Sequence, residues 1–135
     1  MLYLQRQDYH KILAHCRKQL PQEACGLLAG RKDGENCQVE MVYLLTNMDH
    51  SEEHFSMDPR EQFAALKNMR ERNMELLGNF HSHPISQASP SMEDRRLAFD
   101  RGLRYLIASL SEKEPVLKVF MWQEMEMKEE TLLIV

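Results

Sequence analysis

Leu76-Leu77-Gly78-Asn79-Phe80-His81-Ser82-His83-Pro84 is the stretch that decides the fold. Its mostly apolar first half suits a buried strand, and that strand delivers two histidines at its end. Side chains alternate faces along a strand, so His81 and His83 point one way and Ser82 the other. Two imidazoles on one face can share a divalent metal. A little further on, Ser91-Met92-Glu93-Asp94 brings a carboxylate that can serve as a third, anionic ligand. Three protein ligands with a fourth position left to water is the arrangement of a catalytic zinc site, not a structural one.

Each of these features also has an ordinary explanation. A lone H-x-H pair on a strand occurs by chance. Pro90-Ser91 followed by Met92 to Arg101 predicts a helix, with Ser91 as N-cap, Asp94 at N3 and Gly102 closing the C-terminal end. Cap and ligand are compatible, because a capped first turn holds a carboxylate in a fixed geometry. Upstream, Glu23 sits in Pro21-Gln22-Glu23-Ala24-Cys25-Gly26-Leu27-Leu28-Ala29-Gly30, where Leu27 and Leu28 suggest a buried strand. A carboxylate at the head of such a strand is costly without a partner or a task. Burial raises its pKa towards neutrality, where a general base works best. The combination points to a hydrolase.

Taken together, Glu23, then His81-Ser82-His83, then Pro84 to Pro90, then Ser91 and Asp94 resembles the signature of the JAMM (MPN-plus) metalloproteases. Pro21-x-Glu23-x-Cys25-Gly26-Leu27-Leu28-x-Gly30 is similar to that family's glutamate strand. Asn47 and Phe55-Ser56-Met57-Asp58-Pro59 resemble its middle region. The resemblance runs from about Leu2 to the C-terminal strands. It implies one Zn2+ per chain held by His81, His83 and Asp94. Glu23 is then the general base and acid, acting on water from outside the ligand set, and Ser91 donates to the tetrahedral oxyanion.

Family members cleave isopeptide bonds of ubiquitin and its relatives, or process the tails of small ubiquitin-like sulfur carriers in prokaryotes. This short chain looks like the minimal prokaryotic form. The substrate so implied is a ubiquitin-like or sulfur-carrier protein with a Gly-Gly tail, its extended end adding to a sheet edge beside the zinc. Two rival classes stand beside it. One is a non-catalytic MPN scaffold that binds ubiquitin-like proteins, although such scaffolds usually lack one or more ligands. The other is a peptidase of phage or cell-wall type.

Size and composition agree. The 135 residues suffice for one core and not for two, so the expectation is a single domain over residues 1–135. A net charge of −4 without a basic run speaks against nucleic-acid binding. No apolar run approaches membrane-spanning length and no signal-peptide pattern opens the chain, so no membrane partner is expected. Cys16, Cys25 and Cys37 form no CxxC pair and are odd in number, which suits a reducing cytoplasm. A homodimer is left open. Cys25 is read as core instead of a ligand. His10 and His15 are read as surface residues of the first helix, and His50 and His54 as part of a polar loop able to line a substrate groove.

The remaining pattern predicts a mixed sheet with helices packed against it, an α/β or α+β domain. The resemblance adds that the sheet is curved and the whole is related in shape to the cytidine deaminases. Strands are expected at Leu2 to Leu4, along the Glu23 segment, and over Gln38 to Leu45, Tyr105 to Leu110 and Val116 to Trp122. A last strand should run to Val135. Tyr9, Ile12, Leu13, Cys16 and Leu20 recur at helical spacing, predicting a helix over Gln7 to Leu20 that ends at Pro21. Asp58-Pro59-x-Glu61 predicts a second helix running to about Asn73 and burying Phe63 and Leu66.

Overall fold

The computed structural model describes residues 1–135. In chain order it contains β1 (Leu2–Leu4), α1 (Arg6–Gln19), β2 (Cys25–Asp33), β3 (Asn36–Leu45), α2 (Pro59–Glu71), β4 (Glu75–His83), α3 (Met92–Leu97), β5 (Arg104–Ser109), β6 (Val116–Gln123), β7 (Glu126–Glu130) and β8 (Leu132–Ile134). All strands join one mixed sheet in the order β7-β6-β5-β4-β2-β3-β1-β8. The outermost strands, β7 and β8, are consecutive in the chain with only Thr131 between them. A sheet whose two edges are neighbours in sequence has to curl until they approach. Arg104 fastens the curl: its guanidinium donates to Glu130 on β7 (3.1 Å) and to the carbonyl of Glu35 in the β2–β3 turn (2.6 Å).

Two packing layers follow from strand alternation. Leu28, Val42, Leu77, Phe80, Leu106 and Val119 face the interior of the curl with Ile12 and Cys16 of α1. Cys25, Leu27 and Ala29, the alternate residues of β2, face Ala65 and Met69 of α2 on the opposite side. The β2–β4 pairing shifts register where Leu28 pairs Gly78 but Ala29 pairs Leu76, so Leu77 is the extra residue of a bulge. Such a bulge re-aims the side chains beyond it. Leu77 therefore joins Phe80 and Ser82 on the α1 side, while Asn79, His81 and His83 are directed to the other face. Gly26 lets Phe80 lie across β2: a Cβ there would stand 2.1 Å from the Phe80 ring and 2.2 Å from the Tyr43 carbonyl oxygen. Gly26→Ala should thus destabilise the fold by roughly 1–3 kcal/mol, the usual cost of overpacking. An unchanged denaturant midpoint would show that the ring and the Tyr43 backbone both give way without cost.

The structure corrects four expectations. The α2 helix buries Ala65 and Met69, not Phe63 (72% exposed) and Leu66 (41% exposed). Its rotation is set by hydrogen bonds on the other stripe: Thr46 donates to the Glu61 carboxylate through N–H (2.6 Å) and hydroxyl (2.9 Å), and Tyr43 donates to Asn68 (2.6 Å). The α3 helix stops at Leu97 rather than Arg101. There the Trp122 indole draws in the Ala98 carbonyl (3.0 Å), the Tyr105 hydroxyl takes the Asp100 carbonyl (2.6 Å), and Gly102 N–H turns back onto the Asp100 side chain (2.8 Å). The single last strand is two, because Thr131 is where the chain crosses between the edges of the curl. Leu20 lies beyond the end of α1 and is exposed.

Candidate metal centre

At the end of β4 the alternation puts His81 and His83 side by side, both buried. The first turn of α3 lies over them and supplies Asp94. His81 Nε2 stands 3.1 Å from His83 Nε2, and Asp94 Oδ2 stands 3.1 Å and 3.0 Å from the two nitrogens. These three atoms form a nearly equilateral triangle. Ligand atoms in a tetrahedron around zinc at 2.0–2.1 Å are about 3.3 Å apart, so the triangle is a tetrahedral face drawn slightly tight.

The donor chemistry also fits a cation. His83 Nδ1 lies 2.7 Å from the Gln87 carbonyl oxygen. A carbonyl only accepts, so Nδ1 carries the proton and the neutral ring presents a lone pair at Nε2. That lone pair faces a carboxylate oxygen, an arrangement that repels unless a proton or a metal ion lies between. Without a metal, the proton takes the place. Burial alone would lower the pKa of His83, but the hydrogen bond and charge of Asp94 outweigh it and raise it. Burial would raise Asp94, yet hydrogen bonds from both histidines hold it well below the usual carboxylate range. His81, deeper still, is lowered by burial. Its ring stacks on Phe55 at 4.7 Å between centroids, and its Nδ1 has no hydrogen-bond partner.

Ser91 and Asp94 form the capping box that the S-x-x-D spacing predicts. The Ser91 hydroxyl accepts from Asp94 N–H (3.0 Å), and Ser91 N–H donates to Asp94 Oδ2 (3.0 Å). The serine proton is left uncommitted, since a hydroxyl donates once and accepts twice. One carboxylate oxygen thus takes a backbone N–H and faces both imidazoles, which holds the triangle rigid.

Glu23 lies in the segment just before β2, outside the ligand triangle. Its N–H donates to the Ser51 carbonyl (2.7 Å) and its own carbonyl accepts from Asn47 Nδ2 (3.0 Å). The side chain is buried, and Oε1 has no partner. Burial pushes its carboxyl up to about 8, with His83 pulling down and Asp94 pushing up. A buried carboxyl without a hydrogen bond, beside three convergent ligand atoms, has the proton affinity of a general base.

Other residues support the site in ways the sequence only hinted at. Asn47 is buried with all its side-chain bonds made, donating to the Glu23 and His54 carbonyls and accepting from Asp49 and Ser56 N–H. It ties the Glu23 segment to the loop that carries Phe55. Gln87 acts through its backbone carbonyl, so residue identity gave no signal for it. Cys25 is core: fully buried, outside the triangle, its thiol pushed up to about 12 by burial, so it stays protonated. His10 and His50 are exposed. His15 is not a surface residue but half-buried, with Nε2 at 3.2 Å from the Leu45 carbonyl. β4 itself has no free edge, being paired to β2 and β5 on its two sides.

The chain is similar to proteins from bacteria and archaea. Residues 5–128 match the family described as prokaryotic homologs of the JAB domain. A CysO-cysteine peptidase of Mycobacterium tuberculosis is 31% identical over 98 residues, which span 73% of this chain and 66% of that relative's length. A desampylase of Haloferax volcanii is 33% identical over 103 residues, 73% of each chain. The solution structure of a protein from Desulfitobacterium hafniense superposes with a TM-score of 0.92 at 52% identity, covering 100% of this chain and 93% of that one. The histidine pair, the capped aspartate and the curled mixed sheet are thus found in a chain that belongs to the prokaryotic JAB family, in its minimal JAMM form.

Proposed function

We propose that this protein is a zinc metallopeptidase that hydrolyses the amide or isopeptide bond after the Gly-Gly tail of a ubiquitin-like sulfur-carrier protein. The observation that carries the reading is the triangle of three acceptor atoms beside an unpartnered, buried Glu23. Relatives named a CysO-cysteine peptidase and a desampylase support the substrate class. One Zn2+ per chain on His81, His83 and Asp94 is the metal part of the proposal, with two nitrogens and one carboxylate oxygen matching zinc's preferences. A cytoplasmic location is supported by three buried, unpaired cysteines.

When bound, zinc would polarise a carbonyl and acidify water at neutral pH. The protein's own groups do the rest. Glu23 accepts a proton from the attacking water at its unpartnered carboxylate oxygen, then passes it to the leaving amine. General acid–base help of this kind is typically worth ~10²–10⁴ in rate. The uncommitted Ser91 O–H donates a hydrogen bond to the oxygen that becomes negative, a role worth on the order of 10²–10³. Asn47 and Ser51 hold the Glu23 backbone, and Gln87 holds the His83 ring, so neither group needs to reorganise. A scaffold has no use for a buried carboxyl poised without a partner, which favours the enzyme.

A carrier extended beyond Gly-Gly should release its extension in a zinc-dependent reaction. Changing the second glycine to alanine should lower kcat/KM about 10²-fold, the cost of a roughly 1 Å displacement of the reacting carbonyl. Cleavage kinetics of the two carriers, followed by mass spectrometry, decide it. Equal cleavage of unrelated peptides with bulky residues at that position would make the enzyme a general or cell-wall peptidase.

A further inference from the structure

A second feature opens beside the triangle. Under α3 lies a cavity of about 50 Å³, walled by Phe55, Leu97, Ala98, Ile107 and Met127 and sharing His81 and Asp94 with the metal centre. By the same measure one water needs roughly 10–15 Å³, so the space suits a side chain of about three or four heavy atoms and not a length of backbone. Its roof is fixed by the bond from the Trp122 indole to the Ala98 carbonyl (3.0 Å). Its floor is the sheet, where Ile107 of β5 is paired beside His81. The Tyr105 hydroxyl in its wall is already engaged with the Asp100 carbonyl (2.6 Å). Asn79, two residues before His81 on the same face, lines the cavity and makes no side-chain hydrogen bond within the protein. His54 and Glu93 also line the cavity, so about half of its lining residues are hydrophobic. Apolar walls with a few placed polar groups suit a site that selects a ligand group.

We propose that this cavity is a specificity pocket for the side chain of the residue released by cleavage, and that it prefers a short apolar one. The inference rests on the peptidase reading above. In that reading the two residues on the carbonyl side are glycines and have no side chain to place. The released residue is the neighbour of the scissile bond that does, and the cavity adjoins the scissile position through His81 and Asp94. A cavity of about 50 Å³ is too small to hold both the four-methylene stem and the main chain of a conjugated lysine. The pocket therefore favours an α-linked residue over an isopeptide.

The test uses the zinc-loaded protein and a carrier ending in Gly-Gly followed by Leu or by Ala. Wild type should cleave the Leu carrier with a kcat/KM at least about 10-fold higher, the usual effect of added methylenes in an apolar pocket. Ala98→Leu fills the cavity. It should raise KM for the Leu carrier about 10-fold or more, leaving the Ala carrier within about 2–3-fold and the zinc content unchanged. A binding readout separates this inference from the peptidase reading: N-acetyl-leucinamide should shift the Met127 methyl NMR signal in wild type and not in Ala98→Leu. Equal cleavage of both carriers, equal losses on both in the variant, a preference only for the residue preceding the glycines, or no Met127 shift would each overturn the pocket. If the shift appears but neither carrier is cut, the peptidase reading fails, and with it the cavity's role in cleavage, leaving only its affinity for a short apolar side chain.

Discussion

Glu23→Gln should lose turnover by about 10²–10⁴-fold, the range that a positioned general acid–base supplies, while keeping its metal and its fold. The amide is the same size as the carboxyl and takes the same place between the Ser51 and Asn47 backbone bonds. It cannot accept a proton from water. Retention of metal is part of the expectation because Glu23 stands outside the ligand triangle. The metal-free protein gives a further check, with its sign fixed by the direction of the shift. A carboxyl raised to about 8 by burial binds a proton in the folded state that the unfolded state has already lost. Its contribution to stability therefore falls as pH rises from the ordinary glutamate range to about 8. Glu23→Gln should flatten that slope in pH-dependent denaturation. Loss of metal on the change would make Glu23 a ligand, and full activity would remove it from the mechanism.

Asp94→Asn and His83→Ala should both abolish stoichiometric zinc binding. Losing an outer hydrogen-bond partner of a metal ligand typically costs about 10–100-fold in affinity, and losing the ligand itself should cost more. Asp94 has the larger effect, for three reasons visible in the structure. It supplies the one negative charge of the triangle, its Oδ2 faces both histidine nitrogens, and the same oxygen receives the Ser91 N–H. The asparagine keeps the size and one acceptor, so α3 should remain folded. Metal analysis after purification without chelator gives the result directly. Thermal unfolding supplies an independent one: a chelator should lower the Tm of wild type, because a ligand bound only to the folded state stabilises it, and leave Asp94→Asn unmoved. Equal zinc in wild type and both variants would place the metal elsewhere.

The site was legible in the sequence wherever chemistry is carried by a side chain at a short, regular spacing. Strand alternation puts His81 and His83 on one face whatever the rest of the chain does. The S-x-x-D cap fixes where Asp94 points relative to Ser91 for equally local reasons. Glu23 was legible for a different reason, as an acidic group at the head of an apolar run. Asn47 could be singled out without a role, because its hydrogen bonds go to backbone groups of a loop whose path is not local. Gln87 left no trace, since any residue has a carbonyl to offer.

Orientation was less legible than identity. Both stripes of α2 contain apolar residues, and Phe63 with Leu66 is the more hydrophobic pair. The pull of Glu61 onto Thr46 and of Asn68 onto Tyr43 turned the helix the other way. A hydrophobic pattern says that a helix has a buried face, and with two candidates it does not choose. The end of α3 likewise depended on Trp122 and Tyr105, which come later in the chain and reach back across the sheet.

By itself, then, the sequence determined the strands up to β6, the capped starts of α2 and α3, the pairing of the two histidines and the list of residues able to bind metal. All of these follow from periodicity and from hydrogen bonds spanning a few residues. Only the tertiary structure decided the curl of the sheet, the bulge that turns Leu77 to the face of Phe80, and the approach of the Glu23 segment to the end of β4 through the Ala24–Ser82 bonds. The same holds for the pocket that draws Phe55, Ala98, Ile107 and Met127 from four separate segments. Contacts between distant segments depend on how the whole chain buries its apolar surface at once, and no local window of sequence contains that sum.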